Sequence, residues 1–530
     1  MSAVAQTAES ILIGGEWVEA DATGTFQSHN PATCEALPEH YPVSSWSDCD
    51  KALDAAVEAA ADMRSRPTAD IAAFLEAYAD LIDANIDSIA EIANAETGLP
   101  VKPRLAAVEG PRTSGQLRQA AAAARTGSWA MPTIDTKLNI RSVYEPIGPV
   151  CVFGPNNFPF AFNSVAGGDF AAAIAAGNPV IGKANTSHPG ATRALAELAR
   201  QAAEQTGMHP GIVQLIYRTS HEDGARLVAD QRVGAIGYTG SRRAGLTLKA
   251  AADAVGKPIY LELSSVNPVA ILPGALAQSQ ESIVGEFVTS VLMGTGQFCT
   301  NPGLVLMVKD ANAESFIGEV EKKFAATAPG TLLSDSVKSS LSSAIKTLVD
   351  AGAKLHTGGG EIAGKCSVEN TLLSAPAASF IASPEVFQTE AFGNATLVVV
   401  ADDVDQLRAV IESLEGNLTG SVYSASDDTD DAAYDVIAPA LAKRVGRLMN
   451  DKMPTGVAVS SAMNHGGPFP ATGHPGFTAV GIPGSLLRFA KLTSYDSVRA
   501  SRLPVWLQDK NPTGETYRLV DLKWTTDDVG

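Results

Sequence analysis

Cysteine is scarce in this chain: five residues among 530, namely Cys34, Cys49, Cys151, Cys299 and Cys366, odd in number and never in a C-x-x-C spacing. That disfavours both a disulfide framework and a cysteine-built zinc site, and no metal is expected. Positive charge is also short, with 39 Lys and Arg against 58 Asp and Glu, a net charge of −19. Such a field repels nucleic acid and anionic lipid, so neither is expected as a partner, and an anionic small molecule would need a local cationic group. Residues 1–50 hold no Lys or Arg, so the basic n-region of a secretory signal is missing. The longest apolar stretch, residues 161–182, is interrupted by Asp169, two adjacent glycines and Pro179, which fits no membrane span. A cytoplasmic protein is expected.

What is present is ample apolar material, 45% of the chain, and a length that a prior of about 150 residues per domain divides into about 3.5 units. Residues 45–124 are Ala-, Leu- and Glu-rich with apolar residues at helical spacing, whereas 126–147 alternate as strands do. From 148 to 262 short apolar strands alternate with Ala-rich helices: strands at 149–153, 180–181, 212–217, 235–238 and 259–263, helices at 188–206, 221–229 and 241–255. This βαβ pattern predicts a parallel sheet with helices on both faces and a ligand crevice beyond the strands' carboxyl ends. Residues 264–475 continue in α/β style, with strands predicted at 304–308 and 395–400, and the final stretch reads as extended and irregular.

Gly177-Asn-Pro-Val-Ile-Gly-Lys183-Ala184 nearly spells a P-loop, but Ala184 stands where a hydroxyl would hold Mg²⁺, and Pro179 to Ile181 read as strand. No G-x-G-x-x-G occurs, so a dinucleotide would have to bind in another way. Gly240 and Ser241 follow a strand and open a helix, which suits a pyrophosphate contact and equally suits a plain N-cap. Cys299 sits among glycines and a proline in Gly294-Thr-Gly-Gln-Phe-Cys-Thr-Asn-Pro-Gly303, a setting for an exposed nucleophile or for a small buried thiol. Glu262 ends an apolar strand, as a surface charge or as a desolvated general base. Asn157, between prolines and aromatics, suits an oxyanion donor or a turn.

Together the motifs Pro155-Asn-Asn-Phe-Pro, Gly182-Lys, Tyr238-Thr-Gly-Ser, Leu261-Glu-Leu, Gly296-Gln-Phe-Cys and Thr389-Glu-Ala-Phe-Gly resemble the NAD(P)-dependent aldehyde dehydrogenase superfamily over nearly the whole chain. Asn464-His-Gly-Gly-Pro-Phe-Pro, Asn511-Pro-Thr-Gly and Arg518-Leu-Val-Asp521 resemble the branch containing α-ketoglutarate semialdehyde (2,5-dioxopentanoate) dehydrogenases. The resemblance implies a Rossmann-like cofactor domain (1–126 and 148–262), an α/β catalytic domain (263–480), and a β-hairpin oligomerisation element with a C-terminal extension (127–147 and 481–530). It implies Cys299 as nucleophile, Asn157 and the Cys299 N–H as oxyanion donors, and Glu262 as the base that hydrolyses the thioester.

Glu390 and Phe392 then fall at the nicotinamide ribose, Lys183 at the adenosine ribose, and Pro155, Asn156, Gly240 and Ser241 along the cofactor. Thr186 stands where NAD-preferring relatives carry a glutamate, so NADP is expected to be preferred and NAD to be accepted. Arg218 is a second phosphate clamp or a surface loop residue. Arg112 is a carboxylate anchor in the substrate tunnel or an exposed helix arginine, and Phe158 and Phe298 line the tunnel. The region of His465 is expected at the tunnel mouth. The expected reaction is oxidation of α-ketoglutarate semialdehyde to 2-oxoglutarate by a homodimer or homotetramer. A fatty or other aliphatic aldehyde, a CoA-acylating variant and a silent structural relative are the alternatives.

Overall fold

The computed structural model describes residues 8–530. Its first sheet runs Ile259–Glu262, Ala235–Thr239, Val150–Phe153, Val180–Lys183, Val213–Ile216, all parallel, and is extended at the far edge by Ile11–Ile13 and Glu16–Val18 in antiparallel sense. Successive residues of one strand serve opposite faces. Val150 and Val152 pack with Val180, Leu195 and Leu75 in one cluster, while Cys151 packs with Ile181, Ile236 and Leu53 in another. Both faces are covered, which is why these strands read as continuous apolar runs.

The predicted elements lie close to the observed ones, with helices at Pro189–Thr206, His221–Ala229 and Arg242–Asp253. Val180–Lys183 is hydrogen-bonded to strands on both sides, so the near-P-loop is strand and no phosphate cradle. The N-terminal strands Ile11–Ile13 and Glu16–Val18 were not foreseen: three residues each are too short to show alternation.

A second sheet orders Lys354–Thr357, Thr371–Pro376, Ala395–Ala401, Leu304–Val308, Val269–Ile271, Asn417–Tyr423 and Val445–Asn450. The same division recurs: Leu304, Leu306, Leu397 and Val399 face one cluster, Val305, Met307 and Val398 the other.

The third sheet has five strands, Ala490–Asp496, Ile140–Pro146, Thr133–Asp135, Arg518–Val520 and Lys523–Thr525. The C-terminal stretch is extended and largely irregular, as read, and it contributes three of these strands. Arg518 is fully buried and donates to the carbonyls of Gln508, Asp509 and Asp527, and Asn511 Nδ2 donates to those of Thr516 and Thr526. Asp521 accepts from the N–H and hydroxyl of Thr136. These residues of the Asn511–Asp521 motif build architecture. Among the described residues no helix is long and apolar enough to cross a membrane.

Candidate functional site

The carboxyl end of Ile259–Glu262 meets a long irregular segment. Glu262 bridges to Thr472, the Leu263 N–H donates to Ala471 O at 2.8 Å, and the Gly473 N–H donates to Leu261 O at 3.0 Å. That pairing carries His465 inward, where it is 1% exposed. Its Nε2 lies 3.0 Å from Glu262 Oε1 and 3.4 Å from Cys299 Sγ. The three donor atoms lie within 4.8 Å of one another, a set that also matches the ligand chemistry of a thiophilic cation. Burial, and then the Glu262 carboxylate, push the Cys299 thiol well above its ordinary value. Glu262 is 1% exposed and its Oε2 has no partner, leaving one acceptor atom free in the site.

The turn that carries Cys299 is tightly held. Gly296 adopts φ +69°, and a Cβ there would stand 2.0 Å from Gly393 O, so only glycine fits. Gln297 donates to Gly294 O and Thr331 O and accepts from the Leu333 N–H. Asn267 Nδ2 donates to Cys299 O at 2.9 Å and Asn301 O at 2.8 Å. Asn157 Nδ2 donates to Gln297 O at 3.0 Å, which uses one of its two amide hydrogens and leaves the other for an oxyanion.

An aromatic wall adjoins the turn. Phe158 packs edge-on to Phe162 and Phe298 at 5.2 and 5.4 Å, and Phe162 lies 5.9 Å from the His465 ring. Arg112 sits over Phe162 and Phe158 at 5.2 and 5.6 Å, with Nε and Nη2 buried and unpartnered. Burial draws its guanidinium below the ordinary value. The exposed-helix alternative for Arg112 is thereby excluded. Beside it, Arg104 stacks on Phe158 at 4.4 Å but is neutralised by Glu109 at 2.5 Å and donates to Asn157 O at 3.1 Å.

On the other side of the turn, Glu390 and Phe392 line a cleft with Gly296 and Phe298. Burial holds the Glu390 carboxyl up at about 7, against the lowering by the Ser265 N–H and Ser264. Lys183 ends its strand with an ammonium lowered to about 8 by burial and then by Arg218. Among the described residues neither cation has an acidic partner within 4.0 Å. Thr186 follows on the next turn. Pro155 O is held by His188 Nε2 at 2.9 Å, and Asn156 is half-buried beside it. Gly240 and Ser241 have their polar groups engaged: the Gly240 N–H donates to Glu262 O at 3.1 Å, and Ser241 Oγ caps the helix at Ala244.

Residues 17–467 match the Aldehyde dehydrogenase family. The chain belongs to the aldehyde dehydrogenase family. Alpha-ketoglutaric semialdehyde dehydrogenase 2 of Azospirillum brasilense is 38% identical over 520 residues, covering 96% of this chain and 98% of that one. Alpha-ketoglutaric semialdehyde dehydrogenase of Acinetobacter baylyi is 33% identical, covering 96% and 97%. An NAD+ complex of aldehyde dehydrogenase from Bacillus cereus shares the fold with a TM-score of 0.78 at 20% identity, covering 92% of this chain and 96% of that one.

In this aldehyde dehydrogenase Cys299 and Glu262 meet at His465, and Asn157 bonds the carbonyl of Gln297 two residues before Cys299. His465, read from sequence only as part of a region that shapes the tunnel mouth in other branches, lies beside Cys299, because the 471–473 segment pairs with the end of the Glu262 strand. Sequence reading also passed over Arg104, Gln297, Asn267 and Asn417. Asn417 Oδ1 accepts the N–H groups of Val266 and Asn267 and so braces the turn from a separate strand. Only the Asn464-His-Gly-Gly motif carried a local signal, and nothing in it tells which element it would meet.

Proposed function

We propose that this aldehyde dehydrogenase oxidises a short carboxylated aldehyde, α-ketoglutarate semialdehyde, to the diacid, with NADP preferred over NAD. The observation that carries the substrate is Arg112: a guanidinium buried in the aromatic wall with two nitrogens unpartnered is complementary to a carboxylate. The names of the Azospirillum and Acinetobacter relatives support the same substrate. The converging pair of Lys183 and Arg218, without acidic partners, supports a 2′-phosphate, and Thr186 adds a hydroxyl donor where a carboxylate would repel it. Glu390, Phe392 and the cleft beside the turn fit a nicotinamide ribose.

In this reading His465, as its Nδ1–H tautomer, takes the Cys299 proton on Nε2, and that one N–H then lies between the thiolate and Glu262 Oε1, an imidazolium set between two negative charges. The thiolate adds to the aldehyde carbon, and the free Asn157 N–H with the Cys299 backbone N–H holds the oxyanion. A bound nicotinamide supplies the hydride acceptor, leaving a cysteine thioester. Glu262 Oε2, the unpartnered acceptor, takes a proton from the attacking water, which releases the acid and frees the thiol. Such hydrolysis sets it apart from CoA acylation. The five-stranded sheet exposes Leu138, Leu492, Leu522 and Trp524, and we assign it as the pairing element of a homodimer or homotetramer.

The test is a panel of kcat/KM values for aldehydes of equal length, carboxylated and neutral, with each cofactor. The proposal expects the carboxylated aldehyde with NADP to lead; a neutral aldehyde or NAD in front contradicts it.

A further inference from the structure

Two thiols that the chemistry does not use face each other where the N-terminal hairpin meets the periphery of the second sheet. Cys34 sits in the hairpin between His29–Asn30 and Glu35–Ala36, exposed, at φ +61°, with its N–H donating to Asn30 O. Its Sγ lies 3.9 Å from that of Cys366, a residue 332 positions away and 3% exposed. Cys366 Sγ donates to Asp335 Oδ1 at 3.3 Å, and Lys338 Nζ lies 3.3 Å from that same oxygen. By contrast Cys49 and Cys151 are fully buried in the apolar cluster beneath the first sheet.

We propose that Cys34 and Cys366 are a redox modification site, closing to an intramolecular disulfide when the protein meets a hydroperoxide. Exposed Cys34 reacts first: its sulfur gives two electrons to the O–O bond, forming a sulfenic acid and releasing water or an alcohol. Cys366 passes its proton to Asp335 and attacks that sulfur; the S–S bond forms as the S–O bond breaks, and the departing hydroxide takes the proton back from Asp335 to leave as water. The sulfurs must close from 3.9 Å to ~2.05 Å, a movement the exposed hairpin tip can supply.

The link fastens the hairpin next to the nucleophile's support. Cys366 O accepts the Leu332 N–H at 2.7 Å, and the neighbouring Leu333 N–H and Thr331 O are both bonded to Gln297. A loop of this length closed by a disulfide removes much freedom from the unfolded chain. The oxidised form therefore melts higher.

Full-length protein treated with a few equivalents of hydrogen peroxide, then mapped without reduction, should yield a Cys34–Cys366 linked peptide two hydrogens lighter than the separate pair and reversed by dithiothreitol. Cys366→Ser should leave Cys34 as a dimedone-reactive sulfenic acid. Cys34→Ser, an exposed change that the fold tolerates, should form no link. Thermal unfolding of the treated protein should rise by about 3 °C or more over treated Cys34→Ser. A dimedone adduct at Cys34 with no linked peptide in the unsubstituted protein, or a link without a rise in melting, overturns the proposal.

Discussion

The surroundings of Cys299 and the sites of the unpaired cations Arg112 and Lys183 are built on opposite terms. Around Cys299 the chain satisfies most of its own polar atoms: Gln297, Asn267 and His465 have partners, and Glu262 Oε2, Thr300 Oγ1 and Asn301 Oδ1 are left over. Elsewhere Arg112 keeps two buried nitrogens unpartnered, and half-buried Lys183, with the exposed Arg218 acting on it, has no carboxylate partner. Buried charge without a partner is costly, so it persists where a ligand completes it. On the proposed function, the contrast separates what the chain supplies itself, a preset nucleophile and base, from what it leaves for anionic ligands to supply. In a chain of net charge −19 those cations are local exceptions.

The largest effect expected is on the self-completed side. Cys299→Ala should lower kcat by about 10⁴-fold or more, read as NADPH formation, with cofactor binding retained; surviving turnover would remove Cys299 from the mechanism. Next, Glu262→Gln should lower steady-state turnover by about 10²- to 10⁴-fold while sparing a first-turnover burst of NADPH. Because the Glu262 charge helps raise the Cys299 thiol, removing it should move the onset of Cys299 alkylation to lower pH. An unmoved onset would break the pairing drawn between the two groups.

Effects on the ligand-completed side should be smaller and ligand-dependent. On the proposed NADP preference, Thr186→Glu should lower the ratio of kcat/KM for NADP to that for NAD by about tenfold or more, because a carboxylate there would repel a 2′-phosphate; an unchanged ratio would remove Thr186 from cofactor choice. The smallest effect is in pH. The Glu390 carboxyl, held at about 7, is increasingly protonated below that value and loses acceptor strength toward a ribose hydroxyl. KM for the cofactor should therefore rise a few-fold as pH falls from about 8 to about 6, and Glu390→Gln should flatten that dependence.

The two halves of this contrast were unequally legible in the sequence. Strands such as Val150–Phe153 and Leu304–Val308 are buried on both faces, so their apolar runs announce them. Cys299, Glu262 and Asn157 each stand in a distinctive local motif. His465 could not be placed, because its position depends on an irregular 471–473 segment pairing with residues 261–263, which has no periodicity to read. The same holds for Asn417, which reaches the turn from another strand through one side-chain oxygen. At Gly240 and Ser241 local chemistry suited two roles, and the observed hydrogen bonds show the helix cap in use. The third sheet was legible as strand at 126–147 and only as extended chain in the final stretch; the strands Arg518–Val520 and Lys523–Thr525 are three residues each and are held by Arg518 and Asn511, polar groups whose burial composition does not reveal.

The most direct test of the account is the ratio of kcat/KM for α-ketoglutarate semialdehyde to that for a neutral aldehyde of equal length, in the unsubstituted enzyme and in Arg112→Met. The account predicts a ratio well above one that collapses by about 10- to 100-fold in the variant, almost all of it through the carboxylated substrate. Equal losses for both aldehydes, or an unchanged ratio, would contradict it.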